Sequence, residues 1–138
     1  MPPEALRSTR LALSALALLA SASCSSDSGS GPSGTTTLLD VSVNLPDGEN
    51  CNVGGVAREF MAILGRQLTV TATGPTNRNI QITVYDTDYT TQLGTAESNQ
   101  GTARIVAAAE PGGTHYVVAC ERDGLPATAR IVVTQAVL

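Results

Sequence analysis

The sequence predicts an all-β domain, an antiparallel sandwich or barrel, and three observations predict it. Short runs alternate apolar and polar residues with period two, Gly and Pro turns separate those runs at regular spacing, and no run has the length and 3.6-residue period of a helix. The domain is expected to span Leu38 to Leu138, after a leader over residues 1–23 and a Ser/Gly/Thr-rich tether over residues 24–37.

Leu39 to Leu45 alternates as a strand and stops at Pro46-Asp47-Gly48, where Pro fixes φ and Gly admits a positive one. Val56 to Leu64 fits a short helix or a strand by period, and its Phe60, Ile63 and β-rich surroundings favour strand. Leu68, Val70 and Ala72 alternate with Gln67, Thr69, Thr71 and Thr73 until Gly74-Pro75 ends the run. The same period recurs in Ile80, Ile82 and Val84. Later strands are expected at Ala103–Ala108, His115–Cys120 and Ala127–Val133, separated by Glu110-Pro111-Gly112-Gly113 and Asp123-Gly124-Leu125-Pro126.

Residues two apart share a strand face, so Leu68/Val70/Ala72, Ile80/Ile82/Val84, Tyr116/Val118/Cys120 and Ala129/Ile131/Val133 are expected to point into one core. Val117 and Ala119 are also apolar, which marks that strand as central and covered on both sides. Ile82→Asp is expected to be strongly destabilising and Thr83→Asp to be tolerated.

Arg7 and Arg10, the apolar run Leu11–Ala20 and the small residues Ser21–Ser23 follow the order of an export signal. The apolar run is too short for a bilayer, whose hydrocarbon core takes about 20 helical residues. The small residues end at Cys24, and ASAS-C resembles the lipobox of bacterial lipoproteins. It departs at Ser21, where that family usually carries an aliphatic residue. The resemblance implies lipidation of Cys24, membrane attachment through an N-terminal lipid and a place in the bacterial cell envelope; ordinary cleavage after Ala22 and secretion is the alternative. Cys51 and Cys120 then remain as two cysteines outside the cytoplasm, a number that pairs without remainder. They are expected to form a disulfide.

After removal of the leader the chain keeps six Arg, no Lys and eleven acidic residues, near −5. That balance lacks the positive footprint of a nucleic-acid binder. The core must be aliphatic, since the aromatics are Phe60, Tyr85, Tyr89 and Tyr116, with no Trp.

Over Phe60 to Gln135 the chain resembles the bacterial pre-peptidase C-terminal domain. The resemblance lies in Phe60–Gly65 leading into Leu68-Thr69-Val70-Thr71, in Asn79–Asp86, and in Gly113-Thr114-His115-Tyr116-Val117-Val118. It implies a jelly-roll-like β-sandwich that accompanies secreted peptidases and other exported proteins. The chain departs from the family at Asn79, often Asp there, which weakens the case for a family-type calcium site, and in its Cys51/Cys120 pair. The chain is expected to act without a peptidase domain in cis.

Chemistry is sparse. Asp86 and Asp88 flank Thr87 and could offer oxygens to Ca²⁺, which needs six to eight ligands; a turn using Asp for side-chain-to-backbone bonds explains them with less. No cofactor is otherwise implied. Tyr85 and Tyr89 could form a small stacking platform, against which stands the absence of Trp. For catalysis, Ser42 and Ser98 are the only serines of the domain and His115 the only imidazole, in a strand and with no marked acidic partner. His115 is expected to be an exposed or hydrogen-bonded strand residue. The sequence therefore points to a non-enzymatic, envelope-tethered module that binds an envelope protein or polysaccharide. The alternatives are a structural or accessory lipoprotein without a small ligand and, more distantly, a hydrolase accessory domain.

Overall fold

The computed structural model describes residues 34–45, Cys51 and residues 54–137. The leader, Cys24, residues 25–33 of the tether and the Pro46–Gly48 turn lie outside them. Eight strands follow in order: β1 (Thr35–Leu45), β2 (Val56–Ala62), β3 (Gln67–Thr73), β4 (Ile80–Tyr85), β5 (Gln92–Ser98), β6 (Thr102–Ala108), β7 (Gly113–Glu121) and β8 (Ala127–Ala136). Among the described residues no helix is long and apolar enough to cross a membrane.

The pairing is nested. β1 pairs with β8, β2 with β7, β3 with β6 and β4 with β5, all antiparallel, as in one long hairpin whose apex is the β4–β5 turn. Rolling that hairpin brings β3 beside β8 and β4 beside β7. Two four-stranded sheets result, with orders β1-β8-β3-β6 and β2-β7-β4-β5. This is the arrangement of a jelly roll, in which folding the sheet into two packed layers manages its exposed edges.

The core between the sheets is aliphatic, with Phe60 its one buried aromatic hydrocarbon ring. Leu68, Val70 and Ala72 of β3, Ile80, Ile82 and Val84 of β4, and Ala129, Ile131 and Val133 of β8 face it as expected, each without solvent exposure. These strands have one apolar and one polar face, so burial of the apolar face fixes their orientation.

The expectation for β7 is corrected. His115, Val117, Ala119 and Glu121 point inward, each fully buried, while Tyr116, Val118 and Cys120 lie on the outer side of the second sheet. Both faces of β7 are largely apolar, so alternation does not choose between them. The two polar inward residues are tolerated because they find partners. The Glu121 carboxylate accepts from the Asn79 N–H at 3.3 Å and the Leu125 N–H at 2.7 Å, and His115 Nδ1 lies 2.9 Å from the Gly113 carbonyl. β7 is central in its sheet, between β2 and β4.

Three further differences follow the same logic. β5, QLGTAES, is an edge strand too polar and glycine-interrupted to announce itself, and it forms because β4 offers it a ladder. β1 begins at Thr35, so the last three residues expected in the tether already pair with β8. Thr83 faces away from the core but is only 7% exposed, with its hydroxyl 3.1 Å from that of Thr95. Thr83→Asp would therefore lose a hydrogen bond and place a charge in a mostly covered site, and is not a tolerated change.

Two glycines are dictated by the fold. Gly55, at φ +79°, passes so close to β7 that a Cβ would come 2.9 Å from Cys120 Cβ and closer still to the Ala119 carbonyl. Gly101, at φ +82°, lets the β5–β6 turn meet the end of β3, where the Gly74 N–H donates to the Gly101 carbonyl at 2.7 Å.

Candidate ligand-binding face

The outer face of the second sheet carries the chemistry that the rest of the surface lacks. Register places Tyr116 of β7 directly opposite both Glu59 of β2 and Tyr85 of β4, and Tyr85 opposite Gln92 of β5. One row of side chains, Glu59–Tyr116–Tyr85–Gln92, thus crosses all four strands. With strands about 4.8 Å apart the row is about 14 Å wide.

Tyr89 joins the row from the β4–β5 turn. Its ring centroid lies 5.4 Å from Tyr85 and 4.7 Å from Tyr116, tilted 42° to the first and edge-on at 77° to the second. Such edge-to-face pairs are favoured by the ring quadrupoles. Tyr89 holds φ at +57°, a left-handed conformation that a bulky residue adopts at a cost. The turn enforces it. The Tyr89 N–H donates to the Asp86 carbonyl and the Asp86 N–H to the Thr91 carbonyl, both at 2.9 Å.

Asp88 completes the turn. Its carboxylate accepts from the N–H groups of Thr90 and Thr91 and from the Thr91 hydroxyl, each at 2.8 Å. The Thr91 N–H, then the other donors, hold the Asp88 carboxyl well below the ordinary carboxylate range. Its oxygens serve the turn, the role weighed above against calcium. Asp86 accepts from the Thr87 N–H and lies 3.9 Å from His115 Nε2, which has no hydrogen-bond partner. Among the described residues no three His, Cys, Asp or Glu side chains are grouped to hold a metal.

The face is graded along the strands. Met61, beside the tyrosine row, is 64% exposed. Ala57, Arg58, Glu59 and Tyr116 line a shallow depression at the β2 edge. Further along β7, Val118 and Cys120 are buried, and Cys120 is bonded to Cys51 with an S–S distance of 2.04 Å and Cα atoms 5.1 Å apart. The expected disulfide therefore closes over this face. Beyond it Arg122 donates to Glu97 at 3.1 Å and to Gln81 at 3.0 Å, and Asn79 donates to Glu97 at 3.2 Å.

The catalytic candidates stay apart. His115 faces the core, stacked on Phe60 at 5.8 Å, while Ser42 is exposed on the other sheet and the Ser98 hydroxyl accepts from the Gln100 N–H. Tyr85 and Tyr89, singled out from sequence, do come together. Tyr116 and Glu59, which complete the row, carry no local signal, because their places depend on pairing across the sheet.

No protein-family model and no curated protein matches the chain. Among solved structures, a periplasmic inhibitor of g-type lysozyme from Aeromonas hydrophila is similar over 75% of this chain and 88% of its own, with a TM-score of 0.48 and 14% identity. The virus-like particle of the extra small virus of the prawn Macrobrachium rosenbergii is similar over 76% of this chain and 80% of its own, with a TM-score of 0.30 and 11% identity.

Proposed function

We propose that the protein is a non-catalytic binding module, tethered to the bacterial cell envelope by lipid on Cys24, that presents the outer face of its second sheet to a macromolecular partner. The observation that carries this reading is the gathering of all three tyrosines of the chain into one solvent-facing cluster. A surface that served only solubility would not hold Tyr89, 47% exposed, in a left-handed turn. The lipobox-like leader supports the tether, and the resemblance to pre-peptidase C-terminal domains is in keeping with an exported accessory module. The chain's one imidazole, His115, is buried against Phe60, in keeping with a module that acts by binding.

Nitration by tetranitromethane, read by mass spectrometry, tests the face. Tyr89 of the purified protein should nitrate readily, and the same residue in intact envelopes should be protected. Equal nitration in both settings would favour the accessory lipoprotein without a ligand. Cys24→Ala should move the protein from the membrane fraction to the soluble one. Retention in membranes would show that another element holds it there.

A further inference from the structure

We infer that the tyrosine face receives a cationic side chain, a guanidinium or ammonium group presented by a protein partner. The inference rests on the binding reading above and names the occupant of that face.

Ring geometry comes first. A sugar ring is stacked by aromatic faces lying flat, whereas here the rings lean on one another at 42° and 77°. An edge-on pair makes a corner, and a corner between electron-rich ring faces suits a compact cation within about 6 Å of a ring centroid.

Charge is the second ground. Glu59 stands exposed at one end of the row, opposite Tyr116, and makes no ion pair among the described residues. Asp88, next to Tyr89 in the β4–β5 turn, keeps its charge because the turn's donors depress its carboxyl. Asp86 lies beneath. Arg58, on the opposite register of β2, lines the β2 edge beside Glu59 and donates to the Ala57 carbonyl, and Arg122 is already paired with Glu97, so the carboxylates of the β4–β5 turn carry most of the negative charge. Arg122 also lies six residues from Tyr116, just past the end of β7, or about 20 Å at strand rise. That exceeds the screening length of about 8 Å at physiological salt. The opposite sheet is different, since it carries Arg104 and an Arg130–Asp40 pair. An aromatic corner with Asp86 and Asp88 in the turn that carries Tyr89, and Glu59 at the β2 end of its row, is thus complementary to positive charge.

The chain supplies its own probe. With three tyrosines, no Trp and all three rings in the cluster, intrinsic tyrosine fluorescence reports this face alone. The Cys24→Ala chain, with its disulfide intact, would be titrated with octa-arginine, an uncharged Gly-Ser peptide and chitohexaose, following fluorescence and amide NMR shifts. Octa-arginine should quench the fluorescence and shift Glu59, Tyr85, Tyr89 and Tyr116. Glu59→Gln, an exposed and fold-neutral change, should weaken it about fivefold, and Tyr89→Leu, which removes the quadrupole, about tenfold. Asp40→Asn on the other sheet should leave the affinity unchanged.

Equal affinity for all variants, or shifts confined to the first sheet, would reduce the effect to attraction by net charge and overturn the inference. Shifts of the tyrosine row by chitohexaose and not by octa-arginine would overturn the occupant and leave the binding face standing. Shifts that grow with protein concentration alone would assign the face to a second copy and overturn it likewise. If no probe moves the row, the inference fails; protection of Tyr89 in envelopes would still uphold the face, and loss of both would sink the two together.

Discussion

The outer faces of the two sheets are built by the same alternation and serve different ends. The first sheet shows solvent Thr69, Thr71 and Thr73 of β3, Thr102 and Arg104 of β6, and Thr128, Arg130 and Thr134 of β8. Threonine is a strong strand former and its hydroxyl is satisfied by water, so this face needs nothing else to be stable. Its one ion pair among the described residues, Arg130 with Asp40 at 2.6 Å, lies exposed. The second sheet instead has Cys120 of its outer side bonded to Cys51 and places its tyrosines further along. One face is what a strand pattern yields by default. The other holds side chains at a cost, in a strained turn and under a cross-link, and that difference is why it is the candidate site.

The largest effect should come from breaking the shared core beneath both faces. Ile82 is fully buried, so Ile82→Asp places an unpaired charge among aliphatic side chains and should cost more than about 4 kcal/mol, enough to abolish a cooperative melt. Thr73→Asp, exposed on the first sheet, should stay within about 0.5 kcal/mol. Similar melting temperatures for the two variants would mean that β3 and β4 are assigned to the wrong faces.

The disulfide sharpens the contrast. Cys51 and Cys120 are 69 residues apart, and in the chain-entropy model a loop of that size contributes about 4 kcal/mol. Replacing both with Ser should lower the melting temperature by many degrees and raise amide exchange first around Val118 and Ala119. Faster exchange spread evenly over both sheets would show that the cross-link supports the whole sandwich rather than its second face.

The smallest expected effect is electrostatic and separates the faces by pH. The Asp88 carboxyl is depressed by the turn's donors and the Asp40 carboxyl by its hydrogen bond to Arg130, both from an ordinary value of 3.8. A group depressed in the folded state adds stability above its unfolded value, and that stability is lost as pH falls through the folded one. Stability should therefore decline as pH falls below about 3.8. Asp88→Asn should flatten the decline more than Asp40→Asn, because the Asp88 shift is the larger. Identical acid profiles for the two variants would show that the turn holds its charge no more firmly than the surface pair does.

The sequence by itself determined the strands with one polar face. In β3 and β4 the Thr and Gln of one face against the Leu, Ile, Val and Ala of the other, and in β8 Thr128 and Arg130 against Ala129, Ile131 and Val133, leave one way to bury apolar surface. It also pointed to the Cys51–Cys120 pairing, by parity once the lipobox resemblance sets Cys24 aside. Only the tertiary structure decided the rest. The orientation of β7 was open because Val117 and Ala119 on one face match Val118 and Cys120 on the other, and the partners that let Glu121 and His115 turn inward come from the Asn79 and Leu125 loops and from Gly113. β5 exists because β4 lends it hydrogen bonds, and Tyr85 meets Tyr116 because the rolled hairpin sets β4 beside β7. Alternation along a strand records which face a residue takes only where the faces differ. Which residues become neighbours across a sheet is fixed by pairing between distant segments, and no local pattern carries that information.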